Sequence, residues 1–426
     1  MKIKGLLGMM GDLKEKGFFQ IFLSDVINKA LNFVSGIIII NAVDKYLYGL
    51  YTNGFNIVSI FMLFTGLGVI SGVLQFCSET REQEEKNAIY RFGARFGMLV
   101  NFLLCAAILI YGLWGALSMP EARGMLIALS FLPLVQFIYQ YYATCFRTRK
   151  ENKKYALSMN INTIGYVAGT LIGVLVYDVY GMIIGMYAGY LGSGVITAVM
   201  AKDIIKEGGR AKPLAKPLRR NLLHYSLVCC GSNVISQLLY LLDVFILGIL
   251  VTDPRVTASY SVATKIPFAL IFIPQAVIVF VYPYFAEHST DFAWIKPHYS
   301  HMKKWMLLMN AVITVLGVAL AGQIVGIFGE QYEDTVLLFR ILMLSYFFSA
   351  SFQLPSGNVL AMLRKVNINL VIAAVSGIAN ILLDIWLIQW YGSKGAAVAT
   401  LSVVLISSVI STVYLNSHIK KGLAAQ

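Results

Sequence analysis

Long apolar stretches, separated by short polar ones, follow one another along almost the whole chain. Twelve of them are at least about as long as the 20 residues that an α-helix needs to cross a bilayer. They cover residues 18–42, 49–76, 92–115, 123–146, 156–177, 180–201, 222–250, 258–285, 304–328, 335–362, 367–390 and 394–417. The pattern predicts an all-α polytopic membrane protein with twelve transmembrane helices.

Composition agrees with a membrane protein and argues against a soluble enzyme. Of the 426 residues, 58% are hydrophobic and 13% are charged, whereas soluble domains are about 45–50% apolar. No polar segment between the predicted helices is long enough to form a catalytic domain. The histidines lack metal-ligand spacing, and no nucleophile motif or phosphate loop occurs. We therefore expect a transporter with no catalytic site, bound metal or resident cofactor.

The net charge of +13 is unevenly distributed. Both termini and the even-numbered loops hold 26 lysines and arginines, and the odd-numbered loops hold 4, at Lys45, Arg123, Arg255 and Lys394. The positive-inside rule therefore predicts that both termini are cytoplasmic. We interpret the basic charge as a topology signal and a contact for anionic lipids, and we expect no binding to nucleic acid.

Four segments of the first half recur in the same order in the second half. Residues 24–32 match 232–240, 51–79 match 260–287, 95–101 match 304–310, and 160–181 match 367–392. A duplication in an apolar chain is typical of transporters built from two similar halves. It predicts two six-helix lobes, residues 1–202 and 221–426, joined by a basic cytoplasmic linker at 203–220. Because each lobe has an even number of helices, both would have the same orientation.

Glycines four residues apart indicate close helix packing in the first lobe. They form two rows, Gly165, Gly169 and Gly173 in the fifth predicted helix and Gly181, Gly185 and Gly189 in the sixth. Small residues at this spacing let helix backbones approach closely in lipid. We interpret the rows as packing within the lobe, with a dimer interface as the alternative.

Polar residues form a stripe on the first predicted helix and on its repeat partner. Asp25, Asn28, Lys29 and Asn32 share one face of the first helix. Their repeat partners Asn233, Ser236, Gln237 and Tyr240 share the matching face of the seventh, with Asp243 just beyond. Such groups are costly against lipid, so both stripes are expected to face a polar cavity that binds the substrate.

Asp25 and Lys29 have two compatible interpretations. They are four residues apart and can neutralise each other. Alternatively, Lys29 binds an anionic substrate while Asp25 takes up a proton or Na⁺, in a different state of the transport cycle. Asp243 and Asp384 are further candidates for cation coupling, although Asp384 could also be a buried cap near its helix end.

Three more cations lie within the predicted helices. Lys265 and Arg340 are candidates for the cavity, although both side chains can also extend towards the membrane surface. Arg95 matches Lys304 in the repeat and is placed at the inner entrance. Cations over a polar stripe suit a phosphate-bearing substrate better than a hydrophobic cation.

Several short motifs resemble those of one known family. They are Tyr48 to Tyr51 at the start of the second helix, Gln75 to Glu79 at its end, Asp243 to Gly248 followed by Tyr260 to Lys265, and Asn380 followed by Tyr391 to Thr400. With these motifs, the length and the twelve predicted helices, the chain resembles the polysaccharide-flippase (Wzx-type) branch of the multidrug/oligosaccharidyl-lipid/polysaccharide (MOP) exporter superfamily.

The resemblance implies a function and a location. Such flippases move undecaprenyl-diphosphate-linked oligosaccharides from the inner to the outer leaflet of the bacterial cytoplasmic membrane, for O-antigen, capsule or exopolysaccharide synthesis. The family mechanism is alternating access through a cationic cavity between two lobes, with Na⁺ or H⁺ coupling. The implied partners are the lipid-linked oligosaccharide, membrane lipids, and a polysaccharide polymerase with its chain-length regulator.

Other functions compete with this one. A multidrug (MATE-type) antiporter of the same superfamily would carry a Gly/Ala-rich turn after the second helix, where this chain has the acidic segment 75–85. A lipid II flippase usually has two more helices. A membrane glycosyltransferase would need a large extracytoplasmic loop, and a scaffold would not need charges within its helices.

Overall fold

The computed structural model describes residues 18–79, 81–363 and 365–425. Within these ranges all regular secondary structure is helical, which confirms the predicted all-α class. The basic residues at 1–17, which contributed to the topology prediction, and Arg364 lie outside the described residues. The chain forms two compact units, which divide between Leu238 and Leu239.

The first unit contains eight helices and most of a ninth. They are α1 (Phe18–Ala42), α2 (Lys45–Met62), α3 (Val69–Ser78), α4 (Gln83–Trp114), α5 (Arg123–Ala128), α6 (Leu132–Thr148), α7 (Asn152–Met200), α8 (Lys202–Arg210) and the first part of α9 (Lys216–Leu250). The predicted linker at 203–220 thus consists largely of helix, and α8 packs against α4. The division into lobes at this linker stays a prediction.

The second unit contains the end of α9 and eight further helices. They are α10 (Pro254–Leu270), α11 (Phe272–Glu287), α12 (Phe292–Ala319), α13 (Ala321–Gly326), α14 (Val336–Phe348), α15 (Leu354–Met362), α16 (Val366–Tyr391) and α17 (Ser393–Ala425). A π-helical turn at Ser349–Gln353 joins α14 to α15. Such turns bend a helix without ending it.

Ten helical segments of the described chain are long and apolar enough to cross a membrane. They cover eleven of the twelve predicted spans, because one segment contains two spans. The spans 156–177 and 180–201 fall in one segment, Asn152–Met200. The span 222–250 falls in α9, of whose described residues Leu241–Leu250 form a shorter apolar helix. The protein is therefore a multi-span membrane protein, while the count of twelve and the cytoplasmic termini stay predictions.

The long helix α7 is a hairpin of two arms. Its 49 residues would extend roughly 74 Å if straight, more than twice the apolar thickness of a bilayer. The backbone leaves the helical region at Tyr177 (φ −148°, ψ 39°) and Asp178 (φ 52°, ψ −140°), close to the gap that separates the two predicted spans. The two arms then run antiparallel.

Glycine rows hold the two arms of α7 together. Gly165 lies against Gly189, Gly169 against Gly185, and Gly173 against Gly181, and a Cβ added at any of them would meet backbone of the opposite arm. This confirms that the rows pack within the first unit, because only a bare Cα lets two helix backbones approach so closely.

A left-handed turn joins α2 to α3. Gly66, Leu67 and Gly68 have φ of 55°, 46° and 76°, a region that glycine enters without strain and leucine rarely does. A Cβ on Gly68 would meet the carbonyl of Ser226 on α9. The turn therefore bends the second predicted span and brings α3 close to the first part of α9.

Several core tyrosines form hydrogen bonds through their hydroxyls. In the first unit Tyr141 donates to the carbonyl of Tyr90 at 2.6 Å, and the Tyr90 hydroxyl lies 2.7 Å from that of Thr148. In the second unit Tyr346 donates to Oδ1 of Asn310 at 2.9 Å. These bonds satisfy polar groups that would be costly to bury alone.

Candidate functional site

The polar stripe of the first unit begins with an ion pair on α1. Nζ of Lys29 lies 2.7 Å from Oδ2 of Asp25, and the two side chains are 59% and 42% exposed. The pairing that the sequence allowed is therefore present. Because neither side chain is enclosed, an anionic ligand can reach Lys29 from outside the unit. Asn32, one turn further, is also exposed.

Behind this pair, α1 contacts α7 through uncharged polar groups. Nδ2 of the buried Asn28 donates to Oδ1 of Asn160 at 3.1 Å. Further along, Ser193 donates to Oδ1 of Asn162 at 2.9 Å, which joins the two arms of α7. The sequence analysis missed Asn160, Asn162 and Ser193 as polar partners, although Asn160 begins one of the repeated segments.

The remaining candidates of the substrate cavity lie on several helices. Lys265 on α10, Arg340 on α14 and Arg95 on α4 have exposed side chains. Asn233 and Gln237 on α9 are exposed as well, whereas the side chain of Tyr240 lies outside the described part of the structure. The assignment of these residues to a common cavity stays a prediction.

Two predicted cation-coupling residues, Asp243 on α9 and Asp384 on α16, lie together inside the second unit. They are 7% and 0% exposed. Oδ2 of Asp243 accepts hydrogen bonds from the hydroxyls of Tyr260 at 2.7 Å and Thr400 at 2.6 Å. Asp384 is close enough to interact with Asp243 directly. Oδ1 of Asp243 and both oxygens of Asp384 are buried without a hydrogen-bond partner among the described residues.

A cavity of about 140 Å³ opens beside Asp243 of this pair. The polar side chains that line it carry oxygen atoms, and they belong to Asp243, Ser345, Tyr346, Ser349, Gln353, Ser376, Asn380 and Thr400. Pro267 and Ile271, near the break between α10 and α11, complete part of its wall. An ion in this cavity would be surrounded by carboxylate, amide and hydroxyl groups.

The acidic pair needs a positive charge. Two adjacent carboxylates buried in a low-dielectric interior cannot both stay ionised unless a proton or a cation compensates them. Oxygen ligands of this kind suit hard cations. The geometry can therefore hold a proton or a small cation, and the exchange of that ion would change the charge at the centre of the second unit.

The sequence analysis did not predict Tyr260, Thr400 or Asn380 as part of this site. All three lie in the motifs that carried the family resemblance, so their position in those motifs was the available signal. Their roles could not be deduced from spacing, because Tyr260 is 17 and Thr400 is 157 positions from Asp243.

Comparison with known proteins decides the family. A family model described as "Polysaccharide biosynthesis protein" matches residues 15–289, which is more than half of the chain. The chain belongs to this polysaccharide biosynthesis family. No curated protein sequence matches it. The resemblance seen in the motifs is thus confirmed at the level of the family.

Solved structures show the fold of this family member. A multidrug resistance MATE family transporter of the MOP superfamily matches with a TM-score of 0.74 at 11% identity, over 93% of this chain and 96% of that chain. The lipid II flippase MurJ matches with a TM-score of 0.73 at 17% identity, over 94% and 87%. A MATE transporter of Vibrio cholerae matches at 0.63 and 15% identity, over 96% and 98%. The fold is that of the MOP superfamily.

Proposed function

We propose that this protein is a flippase that moves undecaprenyl-diphosphate-linked oligosaccharide units from the inner to the outer leaflet of the bacterial cytoplasmic membrane. The flipped units would serve the synthesis of a surface polysaccharide such as O-antigen, capsule or exopolysaccharide. The observation that carries this proposal is the match of residues 15–289 to the polysaccharide biosynthesis family. The solved structures support the fold alone, since drug transporters and a lipid flippase match about equally well.

The substrate contacts follow from charge. A diphosphate is a strong anion, and the exposed cations Lys29, Lys265 and Arg340 are the groups within the predicted helices that can attract it. The amides of Asn32 and Gln237 can exchange hydrogen bonds with sugar hydroxyls. When the diphosphate binds Lys29, Asp25 loses its partner, and Asp25 can then take up a cation.

Ion coupling would operate at the acidic pair in the second unit. Entry of Na⁺ or H⁺ neutralises charge beside Asp243 and Asp384 and stabilises the packing that encloses the ion. A ligand shifts an equilibrium only by its difference in affinity between two states. We therefore propose alternating access in which the ion and the lipid-linked oligosaccharide favour different states, so that the ion gradient drives the return step.

A cation-coupled multidrug antiporter is the second candidate. The observation in its favour is the TM-score of 0.74 to a MATE transporter over 93% of the chain, together with the buried acidic pair, which could bind an organic cation or its coupling ion. Against it stand the family match and the exposed cations, which repel cationic drugs.

The test is a flipping assay in proteoliposomes with a fluorescent undecaprenyl-diphosphate oligosaccharide. We expect the wild type to flip this lipid and Lys29→Ala to flip it at least about tenfold more slowly, the effect of losing roughly 1.4 kcal/mol of binding to the transition state. Lys202→Ala, which removes an exposed lysine of α8, is the charge control. Absence of glycan movement, together with gradient-driven efflux of an organic cation that Asp25→Asn abolishes, would instead establish the antiporter.

A further inference from the structure

The first unit contains a pocket of its own, separate from the acidic cavity of the second unit and from the proposed transport site. It has a volume of about 200 Å³ and lies where α4, α6 and α8 meet. Arg91 and Arg95 of α4, Tyr142 of α6 and Gly209 of α8 line it. A water molecule occupies about 30 Å³ in the liquid, so this volume admits a phosphate ester with a few waters.

The pocket carries positive charge that the described structure leaves uncompensated. Arg91 is fixed in place, because its Nη1 donates to the carbonyl of Ala211 at 2.8 Å. Arg95, one turn further along α4, is exposed. No carboxylate is among the described lining residues. Glu207, which precedes the lining residue Gly208 on α8, already accepts a hydrogen bond from Arg149 at 2.6 Å.

Apolar surface adjoins this positive charge. Towards the C-terminal end of α4, the face that carries Arg95 continues with Leu99, Phe102 and Leu103, which are 57%, 56% and 58% exposed. Ile205 of α8 is 44% exposed and also lines the pocket. In a helix that crosses a membrane, such side chains face hydrocarbon, so the pocket lies where head groups meet acyl chains.

We propose that this pocket binds the phosphate head group of an anionic membrane phospholipid, whose acyl chains lie along the Leu99, Phe102 and Leu103 face of α4. Guanidinium groups are the preferred partners of phosphate oxygens because two parallel N–H donors match them. A ligand with both a phosphate and long apolar chains uses both features of the surface, whereas a free phosphate ion uses only one.

Bound lipid would also fix α8. This helix follows α7 directly and leads through a short segment to α9, which continues into the second unit. A head group held between α4 and α8 would link these two helices, in addition to the hydrogen bonds of Arg91 with Ala211 and of Arg149 with Glu207. The inference assigns Arg95 to a lipid head group rather than to the substrate cavity, and it does not depend on the identity of the transported substrate.

The test compares lipid binding by the purified full-length protein and three variants. Native mass spectrometry in detergent, titrated with phosphatidylglycerol or phosphatidylcholine, counts the bound lipids. Arg95→Gln removes charge from the pocket. Gly209→Leu keeps the charge but fills the pocket, and the position tolerates a side chain because a Cβ there meets nothing within 4 Å. Lys206→Gln removes the same charge from an exposed position of α8 outside the pocket.

We expect the wild type to bind one phosphatidylglycerol in preference to phosphatidylcholine. Arg95→Gln should weaken this binding by about fivefold, the value expected for one basic residue near a lipid phosphate. Gly209→Leu should weaken it by at least about as much, and Lys206→Gln should leave it unchanged. Equal thermal melting of all four proteins shows that each is folded.

Three outcomes would overturn the proposal. If Lys206→Gln loses as much binding as Arg95→Gln, the affinity comes from general surface charge. If Gly209→Leu binds phosphatidylglycerol as well as the wild type, the lipid does not occupy the pocket. If inorganic phosphate displaces phosphatidylglycerol at equal concentration, the site holds a free anion and the acyl chains contribute nothing.

Discussion

Each unit contains a helical hairpin, and the two hairpins have nearly the same backbone dihedral angles at the turn but different residues there. In α7 the corner is Asp178, with φ 52° and ψ −140°, and between α16 and α17 it is Gly392, with φ 56° and ψ −134°. In both hairpins glycine faces a backbone carbonyl of the other arm, for example Gly169 with Gly185 and Gly395 with Leu387. The repeated region thus has a repeated local structure, although the corners align Asp178 with Gly392, whereas the sequence match pairs Gly181 with Gly392.

The same comparison shows where the units differ. Eight residues before the corner, the second unit has Asp384 and the first has Thr170, and both side chains are buried. The hydroxyl of Thr170 donates to the carbonyl of Tyr166 at 2.8 Å, so its donor is satisfied within its own helix. Asp384 has no hydrogen-bond partner within the described structure and lies beside Asp243. At this position, therefore, one copy of the duplicated scaffold has a neutral, hydrogen-bonded side chain and the other has an acidic side chain without a hydrogen-bond partner among the described residues.

The largest expected effect on transport comes from removing the acidic pair. Asp384→Asn and Asp243→Asn each keep the shape of the side chain, and Asp243→Asn keeps an acceptor for Tyr260 and Thr400. We expect each to reduce ion-driven transport by about 100-fold, corresponding to the loss of roughly 2.7 kcal/mol of coupling. The measurement is flipping in proteoliposomes under an imposed Na⁺ or pH gradient.

The control for this prediction is Asp203→Asn, which removes an exposed carboxylate from α8 and should transport normally. Full gradient dependence in Asp384→Asn would show that the coupling ion binds elsewhere. Asp25 on α1 would then become the principal candidate, because it is the other acid within the predicted polar stripes.

The reverse substitution tests whether the first unit can accept a charge. Thr170→Asp places a carboxylate at the position that matches Asp384, where the carbonyls of Tyr166 and Val167 now receive the threonine hydroxyl. With no second acid to share a proton or ion, we expect a loss of about 3 kcal/mol of unfolding free energy. Thermal unfolding in detergent measures it, with Thr170→Val as the control that removes only the hydroxyl.

If Thr170→Asp proved as stable as Thr170→Val, the interior of the first unit would be more polar or more hydrated than the described contacts indicate. The fold of the first unit would then tolerate a buried charge at this position, even though the sequence has a neutral residue there.

Close packing in the α7 hairpin provides the next test. A Cβ at Gly185 would meet the carbonyl of Gly169, whereas one at Gly192, two turns away on the same arm, meets nothing within 4 Å. We expect Gly185→Ala to cost about 2 kcal/mol through overpacking, and Gly192→Ala to be neutral or slightly stabilising. Thermal unfolding of both variants checks this, and equal melting temperatures would mean that the arms can separate at no cost.

Much of the fold followed from patterns that are local in sequence. Apolar length identified the membrane segments, and glycine spacing identified the packing of Gly165 to Gly189, because both depend on residues a few positions apart. The left-handed backbone at Leu67 was not predictable, since leucine disfavours φ of 46° and only the surrounding packing imposes it. The bend between α2 and α3 was missed for this reason.

The candidate site was predicted only in part. Asp243 and Asp384 were identified because a charge within an apolar helix is rare and needs a reason. Their proximity was not predicted, since they lie on different helices and no repeat or spacing links them. The hydroxyls of Tyr260 and Thr400 were missed as partners for the same reason, and Asn160 was missed because a single amide in a helix carries no distinctive signal.

The smallest expected effect is at the hairpin corners, where the two units can exchange residues. The backbone at Asp178 is strained for any residue with a Cβ, and the side chain is exposed. Asp178→Gly relieves this strain but makes the unfolded chain more flexible, so we expect a net gain of at most about 1 kcal/mol. Gly392→Asp should cost about 1 kcal/mol by the same reasoning. The measurement is thermal unfolding of each variant and of the double exchange, which should return close to the wild-type value because distant sites contribute additively. A loss of stability in Asp178→Gly would show that the aspartate side chain makes a favourable contact at this corner, and the two hairpins would then resemble each other in backbone but differ in what stabilises them.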